Sequence, residues 1–186
     1  MGPIQDDEAL LLYAVCRVCC YSRVIEFGGL GGYSALNFLK ALEPRKGTVY
    51  SVDCSEMGIV GERHIHVHKE AAQVTAEDFG GLSVDLALFD CHDCVQQLTA
   101  LQTLKAGGII APSTLLVFHD TGLHANREHE GSVLLSTREG WIHQQAERKM
   151  VRILQEEGYD TVEFHCLYPT PPIRYRHGLT LMRPVR

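Results

Sequence analysis

The strongest constraint on the fold is a repeating alternation of short apolar segments with helical segments. Five segments, each four to six residues long and most of them largely apolar, are predicted as strands, at residues 23–27, 48–52, 64–68, 84–89 and 115–118. Several of them end directly at glycine or at acidic residues, which is where a buried strand gives way to a loop. Strands that alternate with helices at this spacing predict a parallel sheet covered by helices on both faces.

The remaining segments complete this pattern. Helices are predicted at residues 7–20, 34–42, 71–79, 95–104 and 142–157, and two last strands at residues 162–167 and 178–182. Residues 121–140 are rich in Gly, His, Asn, Arg and Glu without a clear period, which predicts a long loop or lid over the site. Because no repeat or linker interrupts the pattern, residues 1–186 are predicted to form a single α/β domain.

Composition and charge narrow the class of protein. Apolar residues make up 45% and charged residues 22% of the chain, as in an ordinary globular protein. The net charge of −6 argues against a broad electrostatic surface for nucleic acid. The longest apolar run, residues 9–20, contains Arg17 and is shorter than the ~20 residues that a membrane helix needs. Seven cysteines, an odd number scattered over helices and strands, indicate reduced thiols and a cytoplasmic location.

A cluster of glycines follows the first predicted strand. Residues 26–34 read EFGGLGGYS, and glycines between a strand and a helix allow a tight turn and close approach of a ligand. The dinucleotide fingerprint G-x-G-x-x-G does not fit, because counting from Gly29 places Ser34 at the third glycine position. This mismatch argues against an NAD-linked oxidoreductase, which is kept as an alternative on the same architecture.

The spacing E-x-G-x-x-x-G-x-S, which starts at Glu26, resembles motif I of class I S-adenosylmethionine-dependent methyltransferases. The ending GYSA at residues 32–35 is similar to that of the O-methyltransferase members, some of which use a metal. The resemblance implies a Rossmann-like fold with a mostly parallel, seven-stranded sheet and an antiparallel last strand. It also implies an enzyme that moves a methyl group from S-adenosylmethionine to a hydroxyl of a small molecule or sugar. A catalytically silent binding module of the same fold is the second alternative.

The same resemblance implies a set of cofactor-binding residues. Glu26 is placed to accept a hydrogen bond from the cofactor's ammonium group, directly or through water. Asp53, 21 residues after Gly32, matches the acidic residue that accepts from both ribose hydroxyls. The predicted cofactor-binding residues are Glu26, Gly28, Gly29, Gly32, Tyr33, Ser34, Asp53, Cys54, Asp90 and His92. The alternative is a glycine-rich turn in an unrelated α/β protein, with Asp53 as a helix cap.

Polar residues follow the fourth and fifth predicted strands, where an acceptor would meet the methyl donor. Asp90, His92 and His119 are the predicted catalytic residues. In one design, His92 or His119 is a general base with a pKa near neutrality. In the other, Asp90, His119 and Asp120 bind a divalent ion that lowers the pKa of the acceptor hydroxyl. Oxygen ligands favour Mg²⁺, whereas a histidine ligand would admit manganese or iron. The resemblance favours the second design, and the alternative is that Asp90 only fixes the cofactor and Asp120 only caps a turn.

Two further groups of residues are candidates for binding. His143 and Arg148 open the helix after the lid and are predicted to contact the substrate, the alternative being an exposed or oligomer-facing helix. His64, His66 and His68 alternate along the third strand and therefore face the same side. Three such histidines could bind a metal, and a partly solvated strand face is the alternative.

Overall fold

Seven strands form the central sheet in a computed structural model of the chain, which describes residues 4–58, 61–121, 136–137, 140–141, 146–164 and 178–185. These strands are β1 (Arg23–Phe27), β2 (Thr48–Val52), β3 (His64–Val67), β4 (Leu86–Phe89), β5 (Leu115–Phe118), β8 (Tyr159–Phe164) and β9 (Leu179–Pro184). Two short strands, β6 (Ser136–Thr137) and β7 (Gly140–Trp141), pair with each other in antiparallel orientation.

The order of the central sheet is β3-β2-β1-β4-β5-β9-β8. The first five strands are parallel, and β9 runs antiparallel to both β5 and β8. The predicted seven-stranded, mostly parallel sheet with an antiparallel last strand is confirmed. The strand order reverses between β1 and β4, so a crevice for ligands is expected at the carboxyl ends of these two strands.

Helices cover both faces of the sheet, as the alternation of segments predicts. They are α1 (Asp6–Val18), α2 (Tyr33–Leu42), α3 (Cys94–Ala106) and α4 (Ala146–Glu156). Apolar side chains of α1 and α2 pack on one face, and those of α3 and α4 pack on the other. Strands β4 and β5 are buried at every residue, which explains why they are apolar without alternation. Among the helices that the structure describes, none combines the length and the apolar character required to span a bilayer.

The segment predicted as a helix at residues 71–79 is instead two 3₁₀ turns, Ala71–Gln73 and Ala76–Phe79. Val74 and Thr75 between them have extended backbone. Both residues are β-branched, and the Thr75 side chain forms a capping box with Asp78, which starts a new turn there. The prediction of one continuous helix was therefore wrong.

The region before α4 is described only in part. Trp141 belongs to β7, and the described part of the helix begins at Ala146, so the predicted start at residue 142 lies outside the described residues. Of the predicted lid at residues 121–140, the structure describes Thr121 and the short strands β6 and β7, and the rest lies outside the described residues. The lid therefore stays a prediction.

Three aromatic rings stack along the carboxyl edge of the sheet. Phe27, Phe89 and Phe118 are the last residues of β1, β4 and β5, and all three are fully buried. The ring centroids of Phe27 and Phe89 are 4.8 Å apart, and those of Phe89 and Phe118 are 5.0 Å apart. Close packing of these rings fixes the ends of three strands relative to one another. The polar residues that follow β4 and β5 are thus attached to strand ends whose relative positions are fixed.

Candidate functional site

A cavity of about 730 Å³ opens at the carboxyl ends of β1, β2 and β4. It is lined by the loop after β1, the loop after β2, the start of the first 3₁₀ turn and the residues after β4. Among the predicted cofactor-binding residues, those that line it are Gly28, Gly29, Tyr33, Ser34, Asp53, Cys54, Asp90 and His92. Glu26 lies below the loop beside Gly29, and Gly32 is the N-cap of α2. Residues 69–71, after β3, also line the cavity.

Gly28 and Gly29 shape the wall of this cavity. Gly28 has a φ of 90°, and a Cβ at this position would overlap the backbone carbonyl of Asp90. A Cβ on Gly29 would lie 2.6 Å from the terminal methyl carbon of Met57 and 3.0 Å from Glu26 Oε1. Only glycine allows the loop after β1 to approach the end of β4 this closely. The two glycines therefore form a cradle that a side chain would fill.

Glu26 presents a buried carboxylate beneath the glycine loop. The hydroxyl of Ser51 donates a hydrogen bond to Glu26 Oε1 at 2.5 Å. Oε2 has no hydrogen-bond partner among the described residues. Burial raises the pKa of Glu26 to about 7, although hydrogen bonds from Ser34 and Ser51 oppose this shift. A buried oxygen without a donor costs free energy, and the ammonium group of the expected cofactor would supply that donor.

Asp53 links the loops on the two sides of the cavity. Its Oδ2 accepts a hydrogen bond from the Leu30 backbone N–H at 2.8 Å, and its Oδ1 accepts from the Ser55 N–H at 2.8 Å. Each carboxylate oxygen can accept a further hydrogen bond, so both stay available to ribose hydroxyls. The position of Asp53, directly after β2, fits the ribose-binding role that the resemblance implies.

A cluster of carboxylates and histidines lies beyond the ends of β4 and β5. His92, whose φ is 54°, has Nδ1 at 3.1 Å from Glu147 Oε1 and 3.7 Å from Asp120 Oδ2. Its Nε2 is 3.7 Å from Asp90 Oδ1. One ligand atom from each of Asp90, His92 and Asp120 lies within 4.8 Å of the other two. This donor set can bind a divalent ion such as Mg²⁺ or Mn²⁺.

His119 is fully buried between carboxylates. Its Nδ1 is 3.0 Å from Asp90 Oδ1 and 3.5 Å from Asp120 Oδ1, and its Nε2 is 3.1 Å from Glu8 Oε2. Burial alone would lower the pKa of His119, but the charge of Asp90 and hydrogen bonds to Asp90 and Glu8 raise it well above the usual value. His119 therefore carries a positive charge at neutral pH, and both of its ring nitrogens face carboxylates.

His92 has a similar electrostatic environment. Burial opposes its protonation, but the hydrogen bond to Glu147 and the charges of Glu147, Asp90 and Asp120 raise the pKa of His92 to about 9. The near-neutral pKa expected of a general base is thus not what the surroundings of either histidine produce. The reason is that several carboxylates from distant parts of the chain lie next to each histidine, and their negative charges stabilise the protonated ring.

The charge of this cluster is negative overall. Four carboxylates, those of Glu8, Asp90, Asp120 and Glu147, surround two histidines, so negative charge remains even when both imidazoles are protonated. Burial raises the pKa of Asp90, which is the expected response of a carboxyl group in such a cluster. A divalent cation would neutralise the remaining charge. The residues present therefore fit a metal ion, with ligand atoms from Asp90, His92 and Asp120. Both ring nitrogens of His119, the predicted histidine ligand, face carboxylates instead.

Two residues of the cluster were not predicted from the sequence. Glu8 lies on α1 and also accepts a hydrogen bond from the Gly178 N–H at 2.7 Å. Glu147 lies on α4, where its Oε1 accepts from the His92 N–H at 2.9 Å and from Gln97 Nε2 at 2.7 Å. Both glutamates stand in polar stretches that predict solvent exposure, so no local pattern indicates that they point inward.

Of the two residues predicted to contact the substrate, the structure describes only Arg148. Arg148 is half-buried, and its Nη1 donates a hydrogen bond to the Thr121 backbone carbonyl at 2.8 Å, just after β5. This contact holds α4 near the carboxyl edge of the sheet. His143 lies outside the described residues. Contact of either residue with a substrate stays a prediction.

Comparisons with known proteins identify the family of the chain. A family model described as a methyltransferase domain matches residues 25–121. None of the curated proteins matches the chain.

Solved structures with the same fold include several methyltransferases. An O-methyltransferase from Bacillus cereus in complex with SAH (S-adenosylhomocysteine) has a TM-score of 0.67 at 12% identity, over 98% of this chain and 83% of that one. SAH-bound PaMTH1 from Podospora anserina has a TM-score of 0.64 at 16% identity, over 100% and 80%. TomG from Streptomyces achromogenes, an O-methyltransferase involved in tomaymycin synthesis, was solved with S-adenosylmethionine and has a TM-score of 0.62 at 16% identity, over 99% and 82%. At these identities the likeness shows a common fold.

Proposed function

This chain belongs to the methyltransferase-domain family, and on that premise we propose that it transfers the methyl group of S-adenosylmethionine to a hydroxyl of a small molecule or sugar. The observation that carries the proposal is the buried Oε2 of Glu26, which has no hydrogen-bond donor among the described residues and lies beside the glycine cradle. A cationic amino group is the ligand feature that this oxygen needs.

The binding residues would orient the cofactor along the carboxyl edge of the sheet. Glu26 accepts from its ammonium group, and Asp53 accepts from its ribose hydroxyls. Asp90 and His92 also line the cavity, next to the glycine loop, so the reactive methyl group would lie near the residues after β4. In the reaction, the carbon–sulfur bond breaks, a carbon–oxygen bond forms, and the products are S-adenosylhomocysteine, a methyl ether and a proton. Holding the two reactants in line supplies much of the catalysis for such a transfer.

Activation of the acceptor is assigned to the cluster after β4 and β5. Asp90, His92 and Asp120 would hold a divalent ion, which when bound lowers the pKa of the acceptor hydroxyl. His119, held between Glu8 and Asp90, positions the Asp90 carboxylate. The proton released from the acceptor has proton-accepting groups nearby in the same carboxylates. Hard oxygen ligands favour Mg²⁺, and His92 makes Mn²⁺ an equally suitable probe.

The experiment combines cofactor binding with turnover. The protein is first titrated with S-adenosylhomocysteine and with NAD in a calorimeter. It is then incubated with S-adenosylmethionine, Mg²⁺ or Mn²⁺ and a panel of sugars and phenols, and release of S-adenosylhomocysteine is followed by mass spectrometry. We expect S-adenosylhomocysteine to bind and NAD not to bind. We also expect turnover that EDTA abolishes.

Two variants separate the cluster from general effects on stability. Asp120→Asn should abolish turnover and leave cofactor binding intact. Asp93→Asn changes a carboxylate that caps α3 and does not line the cavity, and it should retain turnover. Tight binding of NAD in place of S-adenosylhomocysteine would overturn the proposal. Cofactor binding without turnover on any acceptor would support the silent module instead, and turnover that resists EDTA would exclude the metal-assisted design.

A further inference from the structure

The three histidines of β3 and the residue after it divide into two groups. His64 is buried, and its Nε2 lies 2.8 Å from the Ser51 hydroxyl. His66 is half-buried and His68 is exposed, and their ring centroids are 5.4 Å apart. Glu56, from the loop after β2, has Oε1 at 3.7 Å from His68 Nδ1. One ligand atom from each of Glu56, His66 and His68 lies within 4.8 Å of the other two.

The hydrogen bond of His66 prepares this ring for a metal ion. His66 Nε2 is 3.0 Å from the backbone carbonyl oxygen of Asp53. Because a carbonyl oxygen can only accept, Nε2 must carry the hydrogen, and in the neutral ring Nδ1 then holds a lone pair. Histidine ligands of metal ions commonly donate their second N–H to a backbone carbonyl or carboxylate, which fixes the tautomer and the ring orientation. The contact of His66 with Asp53 is of this kind.

We propose that Glu56, His66 and His68 form a binding site for a zinc-class transition-metal ion, separate from the cluster around Asp90. Two imidazole nitrogens and one carboxylate are a known donor set for Zn²⁺, whereas Mg²⁺ prefers oxygen ligands alone. The inference does not depend on the proposed methyl transfer.

The electrostatic surroundings and the location of this site support the proposal. Lys69, the positively charged residue directly after His68 in the sequence, is paired with Asp78, whose carboxylate lies 2.7 Å from Lys69 Nζ. Its charge is therefore neutralised and does not repel an ion at the site. Since Asp53 lines the cavity and its carbonyl binds His66, a bound ion ties the loop after β2 to the edge strand β3. The ion would therefore brace one wall of the cofactor cavity.

The test measures zinc binding by calorimetry in the Asp120→Asn background, where the other cluster lacks one of its oxygen ligands. We expect one Zn²⁺ per chain, and an affinity lowered by about tenfold or more in His68→Gln and in Glu56→Gln. Both side chains are exposed, so these variants should keep the fold, which a thermal melt checks. Glu62→Gln, an exposed carboxylate on the segment before β3, serves as the matched control and should bind zinc as tightly as its parent.

Crystals soaked in zinc locate the ion directly by anomalous scattering. A peak between His66 and His68 is the expected result. Zinc affinity unchanged by both His68→Gln and Glu56→Gln, or a peak only among Asp90, His92 and Asp120, would overturn the proposal. In that case the Glu56–His68 contact is an ordinary surface ion pair.

Discussion

Glu8 and His119 form a buried ion pair although 111 residues separate them in the sequence, with Glu8 Oε2 at 3.1 Å from His119 Nε2. Burial alone would raise the pKa of Glu8, but the hydrogen bond and charge of His119 lower it. The other oxygen of Glu8 accepts from the Gly178 N–H, just before β9. One carboxylate thus connects α1, the residue after β5 and the start of the last strand.

Glu8→Gln should destabilise the protein strongly. Removing one charge leaves the protonated His119 with a weaker partner in a dry environment, and loss of one member of a buried pair costs about 3–5 kcal/mol. Urea unfolding followed by circular dichroism measures the change. Glu43→Gln, an exposed residue after α2, is the control and should lie within about 0.5 kcal/mol of wild type. Equal stability of the two variants would mean that the Glu8–His119 pair contributes little to the fold.

Glu26→Gln should stabilise the cofactor-free protein at alkaline pH. The pKa of Glu26 is raised from 4.5 to about 7 in the folded state, so the folded protein binds the proton more tightly than the unfolded chain does. Wild type therefore loses unfolding free energy as the pH rises from 4.5 through 7, on the order of 3 kcal/mol in total. The amide side chain of the variant does not titrate, so this loss should be absent from it. A variant with the same slope of stability against pH as wild type would contradict the assignment.

The same substitution should weaken cofactor binding. The ionised carboxylate is the form that attracts an ammonium group, so the affinity of wild type for S-adenosylhomocysteine should rise as the pH increases from about 6 to about 8, around the pKa of Glu26. Calorimetry at several pH values should show tenfold or greater loss of affinity in Glu26→Gln at about pH 8, and little pH dependence. Affinity that is unchanged in the variant would place the ammonium group elsewhere.

Asp53 and Asp93 offer a matched pair, because each accepts hydrogen bonds from two backbone N–H groups. Only Asp53 lines the cavity. Asp53→Ala should lower the affinity for S-adenosylhomocysteine by tenfold or more, since the ribose hydroxyls lose an acceptor. Asp93→Ala removes the N-cap of α3 and should cost about 1 kcal/mol of stability at unchanged cofactor affinity. Equal losses of affinity in both variants would show that loop order, and not ribose binding, determines the effect.

Gly28→Ala and Gly80→Ala compare a crowded glycine with an open one. Both positions have positive φ, at 90° and 68°. A methyl group at residue 28 would overlap the Asp90 carbonyl, whereas at residue 80 nothing lies within 4 Å. We expect Gly80→Ala to cost about 1–2 kcal/mol from backbone strain alone. Gly28→Ala should cost more and should also reduce cofactor binding, as measured by thermal shift with S-adenosylhomocysteine. The opposite ranking would mean that the loop after β1 can move away from β4.

The sequence was a good predictor of the sheet and a weaker one of the polar cluster. Strands β1, β2 and β5 have the predicted bounds, because each is a largely apolar run that ends at glycine or a polar residue. Asp90, His92, His119 and Asp120 were found because they directly follow strands whose ends meet at one edge.

The partners of these residues come from distant parts of the chain and have no local pattern. Glu8 is part of an acidic first turn that predicts only a helix N-terminus. Glu147 stands in a strongly amphipathic helix, but which polar residue faces the site depends on how α4 packs. Glu147 is the main group that raises the pKa of His92, and Glu8 adds to the effect of Asp90 on the pKa of His119. These two contributions could not be predicted from the neighbours of the histidines in sequence.

The row of stacked rings formed by Phe27, Phe89 and Phe118 underlies both halves of the site. Phe89 touches the ring below the glycine cradle on one side and the ring before His119 on the other. A change in the packing of this middle ring would shift the loop after β1 and the residues after β5 together, so their separation depends on the sheet more than on the loops. Sequence changes in the surrounding loops would then alter what the cavity accommodates and leave that separation in place.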